Sequence, residues 1–104
     1  MEDMTTMELR IRMKNEETPI LIDVREPYEH DEFNIGGKLI PLGSLLTNPT
    51  QLKLIDKQAE IAVYCRSGAR SATAKQILKV LGFKNVRNVI GGMIQWQSES
   101  QESS

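Results

Sequence analysis

Two short apolar runs limit what this chain can become. Ile20-Leu21-Ile22-Asp23-Val24 and Ile61-Ala62-Val63-Tyr64 are continuous rather than alternating, the pattern of strands covered on both faces. Elsewhere the spacing turns helical. Residues 69–81 place Ala74, Ile77, Leu78 and Leu81 at i, i+3, i+4 and i+7, with Lys75 and Lys79 on the other side. Gly82 follows as a C-terminal stop, with Phe83 able to pack back on the last turn. Strands separated by helices call for right-handed crossovers. The expected fold is therefore α/β, a mostly parallel central sheet of about four to five strands with helices on both faces.

The remaining elements are shorter. Thr5-Thr6-Met7-Glu8 has capping-box spacing and predicts a helix to about residue 15. Pro27 suits the first position of an acidic helix through Glu32. Leu39-Ile40 is a brief strand, and residues 41–56 read as two helical pieces broken at Asn48-Pro49. Residues 86–90 form a further strand, and Gly91-Gly92 opens a last helix with Met93 and Trp96 inward. Met7, Met13 and Met93 are candidate gap-fillers in the core. One domain, residues 1–97, holds all of these elements. Residues 98–104 contain no apolar side chain and are expected to be a disordered polar tail.

Several function classes fall away. The single cysteine, Cys65, allows no internal disulfide, and no Cys/His cluster offers zinc spacing, so neither metal nor cofactor is expected. The N-terminus has no signal-peptide apolar core, and no run is long enough to span a membrane. With a free thiol and no export signal, a cytoplasmic location is expected. Lys75, Lys79, Lys84 and Arg87 have a single aromatic, Phe83, among them, which argues against nucleic acid as a partner.

The net charge of −1 hides an asymmetry. Residues 1–60 carry 7 basic and 12 acidic side chains, whereas residues 61–98 carry 6 basic and no acidic ones. Cys65 stands near the start of that carboxylate-free stretch. It follows a buried strand and opens Cys65-Arg66-Ser67-Gly68-Ala69-Arg70-Ser71, which leads into a helix. Such a turn gathers backbone N–H groups into an anion nest, and Gly68 permits the angles it demands. Helix dipole, amides and two arginines would all favour thiolate over thiol. A papain-like hydrolase would need a histidine base, and the lone His30 sits in the acidic run Glu29-His30-Asp31-Glu32, where a solvated surface residue is expected. An anion cradle without that base suits a substrate bringing its own negative charge: phosphate, arsenate or a sulfur oxyanion. Tyrosine-type phosphatases use Cys-x5-Arg; the Cys-x4-Arg here is a tighter loop that favours sulfur.

The sequence resembles the single-domain rhodaneses from residue 4 to about 97. Leu21-Ile22-Asp23-Val24-Arg25-Glu26-Pro27-Tyr28-Glu29 is similar to that family's first signature, a buried strand ending in Asp-x-Arg. Ile40-Pro41-Leu42 resembles the second-strand motif, residues 63–71 the active-site loop, and Gly91-Gly92 with Trp96 the C-terminal signature. Where many members have His-x-x-Gly, this chain reads Asn34-Ile35-Gly36-Gly37, and its connection to Pro41 is one residue shorter.

The resemblance implies a thiosulfate sulfurtransferase. Cys65 would take sulfane sulfur from thiosulfate or a persulfide donor, and a thiol or cyanide would accept it. Arg66, Ser67, Gly68, Ala69 and Arg70 would bind substrate; Asp23, Arg25 and Ser71 would support the loop, Ser71 alternatively capping its own helix. Asp23 is expected to hydrogen-bond loop amides or pair with an arginine. Two alternatives remain: a protein-to-protein sulfur relay with little thiosulfate activity, and phosphatase or arsenate-reductase chemistry.

Overall fold

The computed structural model describes residues 2–47 and 49–102. Five strands, all parallel, run in the order β1-β5-β4-β2-β3. They are β1 (Met4–Thr5), β2 (Ile20–Asp23), β3 (Lys38–Leu39), β4 (Glu60–Tyr64) and β5 (Asn85–Ile90). The helices are α1 (Thr6–Lys14), α2 (Pro27–Glu32), α3 (Ser44–Thr47), α4 (Ala69–Val80) and α5 (Gly92–Glu102), with a 3-10 turn over Pro49–Leu54. The architecture is the expected parallel α/β sheet. Of the expected helix break at Asn48-Pro49, Asn48 lies outside the described residues.

Strand parity divides the core in two. Ile61, Val63 and Cys65 face one side with Ile22, Val24, Ala74 and Leu78, beneath α3 and α4. Ala62 and Tyr64 face the other with Leu21, Leu9, Met93 and Trp96, beneath α1 and α5. Both runs are continuous because both faces are covered. The end of α4 follows the glycine signal: the Gly82 N–H donates to Lys79 O at 3.0 Å and the Phe83 N–H to Leu78 O at 3.1 Å, a Schellman closure.

Three local expectations need correction. The Glu8 N–H does donate to Thr5 Oγ1 at 3.0 Å, but the Glu8 carboxylate pairs with Arg87 (2.6 Å) rather than closing the box. Met7 and Ile11 stand about half exposed (49% and 52%), because Thr6 and Leu9 form the inward face of α1. The chain is helical past residue 97, through Glu102. Glu99 accepts the Thr6 hydroxyl at 2.6 Å and the Ser100 hydroxyl accepts from Arg10 at 3.0 Å, so polar side chains tie α5 to α1 where apolar ones are missing.

Candidate active site

β4 hands the chain directly to Cys65, and parity puts its side chain on the α4 side, 1% exposed. Gly68, at φ +106°, then starts α4. The loop is gripped from behind by α5. The N–H groups of Met93 and Ile94 donate to the carbonyls of Cys65 and Arg66, each at 3.0 Å. A Cβ on Gly92 would run into those same backbone atoms, and Gly92 itself has φ +54°, so the glycine at 92 is what allows the approach. In a trans peptide the N–H opposes the C=O. Holding those two carbonyls towards α5 therefore turns the N–H groups of Arg66 and Ser67 the other way.

Three donor atoms converge on the sulfur. Cys65 Sγ lies 3.1 Å from Gly68 N, 3.4 Å from Ser71 N and 3.3 Å from Ser71 Oγ. Burial pushes the thiol up, but hydrogen bonds from Ser71, Gly68 and Ser67 outweigh it and hold Cys65 below its ordinary value. Ser71 does not cap its helix. Its hydroxyl lies 2.6 Å from Asn88 Oδ1, and Asn88 Nδ2 donates to Gly68 O at 3.2 Å.

The arginines are deployed differently from the sequence expectation. Arg70 makes a two-pronged pair with Glu29 of α2, at 2.7 and 2.8 Å. That contact holds the Glu29 carboxyl down at about 2, chiefly through the Arg70 hydrogen bonds. Arg66 is exposed and forms no ion pair among the described residues. Ser67 and Ala69 are exposed as well. The loop is less electropositive than its composition suggests.

Among the described residues Asp23 hydrogen-bonds no residue of the thiol loop, whereas Arg25 lines one cleft with Arg66 of that loop. Asp23 is in register with Tyr64, so it shares Tyr64's side of the sheet and not that of Cys65. Its buried carboxylate accepts from Arg25 N, Nε and Nη2 at 3.0, 2.9 and 2.8 Å and sits 2.8 Å from His30 Nδ1. Burial alone would raise the Asp23 carboxyl; the Arg25 and His30 hydrogen bonds prevail and lower it. Arg25 Nη2 also donates to Phe33 O at 2.6 Å. Of the two roles expected for Asp23, the arginine pair is the one present. His30, expected in solvent, instead helps close this buried cluster. Adjacent residues of α2 thus serve both sites, His30 on Asp23 and Glu29 on Arg70.

Glu29, His30 and Asn88 were missed from the sequence. Glu29 stands inside the first signature, yet nothing in local spacing joins it to an arginine 41 residues away. Asn88 stands in the strand segment 86–90, where nothing in local spacing joins it to the loop. A cleft of about 300 Å³ opens beside the loop, lined by Arg66, Glu29, Phe33, Met93 and Ile94 among others. Among the described residues no group of acidic, histidine and cysteine side chains has the makings of a metal site, and no helix is long and apolar enough to cross a membrane.

The chain is similar to known proteins. The chain is 36% identical over 101 residues to YtwF of Bacillus subtilis, covering 96% of this chain and 94% of that one. It is 34% identical over 91 residues to UBA4 of Meyerozyma guilliermondii, an adenylyltransferase and sulfurtransferase; the match covers 81% of this chain but spans only 21% of that longer protein. The crystal structure of a rhodanese-like domain protein from Staphylococcus aureus superposes with a TM-score of 0.81 at 31% identity, over 92% of this chain and 91% of that one. The profile of the rhodanese-like domain matches residues 6–99. The strand order, the cysteine loop at the end of β4 and this near-complete match agree, and the chain belongs to the rhodanese-like domain family of sulfurtransferases.

Proposed function

We propose that the protein moves sulfane sulfur through a persulfide on Cys65. The observation that carries this is the convergence of Gly68 N, Ser71 N and Ser71 Oγ on one buried Sγ. The Cys65 thiolate attacks the outer sulfur of thiosulfate. The new S–S bond forms as the old one breaks, and sulfite leaves with the bonding electron pair. The enzyme is left with Cys65–S–S⁻, whose negative charge the loop amides of residues 66–70 stabilise. An acceptor thiolate, or cyanide in an assay, then attacks the outer sulfur, and Cys65 departs as thiolate. Arg66, exposed and lining the cleft beside the loop, draws in the dianionic donor. Ser67, Gly68 and Ala69 contribute backbone to the cradle, and Arg70, locked to Glu29, holds its shape.

Mass spectrometry tests the covalent step. Incubation with thiosulfate is expected to add one sulfur, ~32 Da, removable by cyanide and absent from Cys65→Ser. An unchanged mass would overturn thiosulfate as donor.

One observation favours a second reading. With the Arg70 fork filled by Glu29, Arg66 is the loop cation without an ion pair among the described residues, which weakens the case for a small dianion as the natural donor. A relay that accepts persulfide from another protein needs less anion binding. The similarity to one segment of the longer UBA4 fits such a module. Turnover with thiosulfate and cyanide, set beside turnover with a protein persulfide, separates the two.

A further inference from the structure

Ser71 has one hydroxyl proton and two acceptors within reach. Its Oγ lies 2.6 Å from Asn88 Oδ1 and 3.3 Å from Cys65 Sγ. The Asn88 amide is not free to turn over. Its Nδ2 donates to the Gly68 carbonyl at 3.2 Å, and a carbonyl can only accept. Oδ1 is therefore the end presented to Ser71, and it too can only accept. While Cys65 keeps its own proton, the hydroxyl proton goes to Asn88 and the hydroxyl oxygen offers its lone pairs to the S–H. Once the thiol ionises, sulfur becomes the stronger acceptor. Ser71 can then serve the sulfur only by leaving Asn88.

We propose that Asn88 is a positioning residue that competes with Cys65 for the Ser71 proton and so sets how readily the sulfur becomes an anion. The inference deepens the sulfur-transfer reading and takes its purpose from it. Asn88 is held firmly where it can compete, 7% exposed and with its backbone N–H fixed to Asp3 Oδ1 at 3.0 Å. The charged groups around the site are Arg66 and Arg70 on the loop, Glu29 on α2 against Arg70, and Asp3 with Lys75 behind Asn88. Asp23, Arg25, His30 and Tyr64 lie on the other side of the sheet.

The sign of one measurement separates competition from mere support. If Asn88 only braced Gly68, its loss would loosen the Gly68 and Ser71 amides and make the thiolate harder to form. Competition predicts the reverse. Because Cys65 is the chain's one cysteine, its titration can be read from the pH dependence of alkylation by iodoacetamide. The midpoint is expected to fall by about half to one pH unit in Asn88→Ala and in the near-isosteric Asn88→Leu, roughly three- to tenfold more thiolate below the midpoint. It is expected to rise in Ser71→Ala, and Asn88→Leu should add nothing to Ser71→Ala. A rise or no change in the Asn88 variants, or an equal fall without the Ser71 hydroxyl, overturns the proposal.

A measurement on the wild type stands independent of whether those variants fold. The carboxamide carbon of Asn88, followed by NMR, is expected to titrate with the Cys65 midpoint, and that titration should vanish in Ser71→Ala. A flat signal in the wild type would equally overturn the proposal. Alkylation and NMR need no sulfur donor. Failure to form a persulfide would therefore count against the transfer reading and leave the proton competition standing.

Discussion

Glu29 and Arg70 show how a side chain chosen for its charge can end up serving as a brace. Glu29 accepts both prongs of the Arg70 fork and also the Glu26 N–H at 3.1 Å, which couples the start of α2 to the start of α4. Its carboxyl is lowered from 4.5 to about 2, so the linkage runs one way. The stability this pair adds is complete above about pH 4.5 and is lost as pH falls towards about 2. Comparing wild type with Glu29→Gln by urea unfolding should show a gap that closes across that window. Asp23 is bound by stricter terms. Asp23→Asn leaves the Arg25 guanidinium, 4% exposed, without its counter-charge. That change is expected to cost about 3–5 kcal/mol in urea unfolding, while the Cys65 titration of the folded fraction stays put, because Asp23 lies across the sheet from the sulfur.

At the scale of elements, the junction between β5 and α5 decides whether the cysteine loop can form. Gly92→Ala would press a methyl group into the backbone of Cys65 and Arg66 at a φ of +54°. A loss of roughly 2–4 kcal/mol is expected from denaturant unfolding, together with loss of persulfide formation in the folded remainder. The elements with a strong local signal were legible in the sequence. β2 and β4 announce themselves as apolar runs, α4 by its stripe and Gly82, and the cysteine loop by the strand before it and Gly68 within it. β1 was not legible, since two residues make no pattern; Met4 and Thr5 become a strand only by pairing with Val89 and Ile90. The end of α5 was misread for the same reason. Glu99 in its last turns is tied to Thr6, 93 residues away, and no local composition encodes that. Glu29 and Asn88 belong to this class too: each acts on the loop through a contact that only the folded chain creates.

Across the whole molecule, the two halves of the charge pattern meet. Lys75 pairs with Asp3, Arg87 with Glu8 and Glu60, and Arg70 with Glu29, so half the cations of the carboxylate-free stretch are matched by acids from the first sixty residues. The sequence pattern suggested a positive field around the thiol; folding pairs half of those cations with acids, while hydrogen bonds from Gly68 and Ser71 hold Cys65 below its ordinary value. Of the two arginines in the loop, Arg66 forms no ion pair among the described residues. Arg66→Ala is expected to reduce kcat/KM for thiosulfate several-fold at low salt and visibly less at high salt, because exposed charges are screened. Equal loss at both would mean that Arg66 acts through local shape. The grip of α5 on the Cys65 and Arg66 carbonyls has its own reach. Trp96, which covers the α1 side and lies 3.8 Å from the Arg10 guanidinium, seats that helix far from any reacting atom. The reactive sulfur thus has a remote handle: whatever pries the last helix from the sheet disarms Cys65 without approaching it.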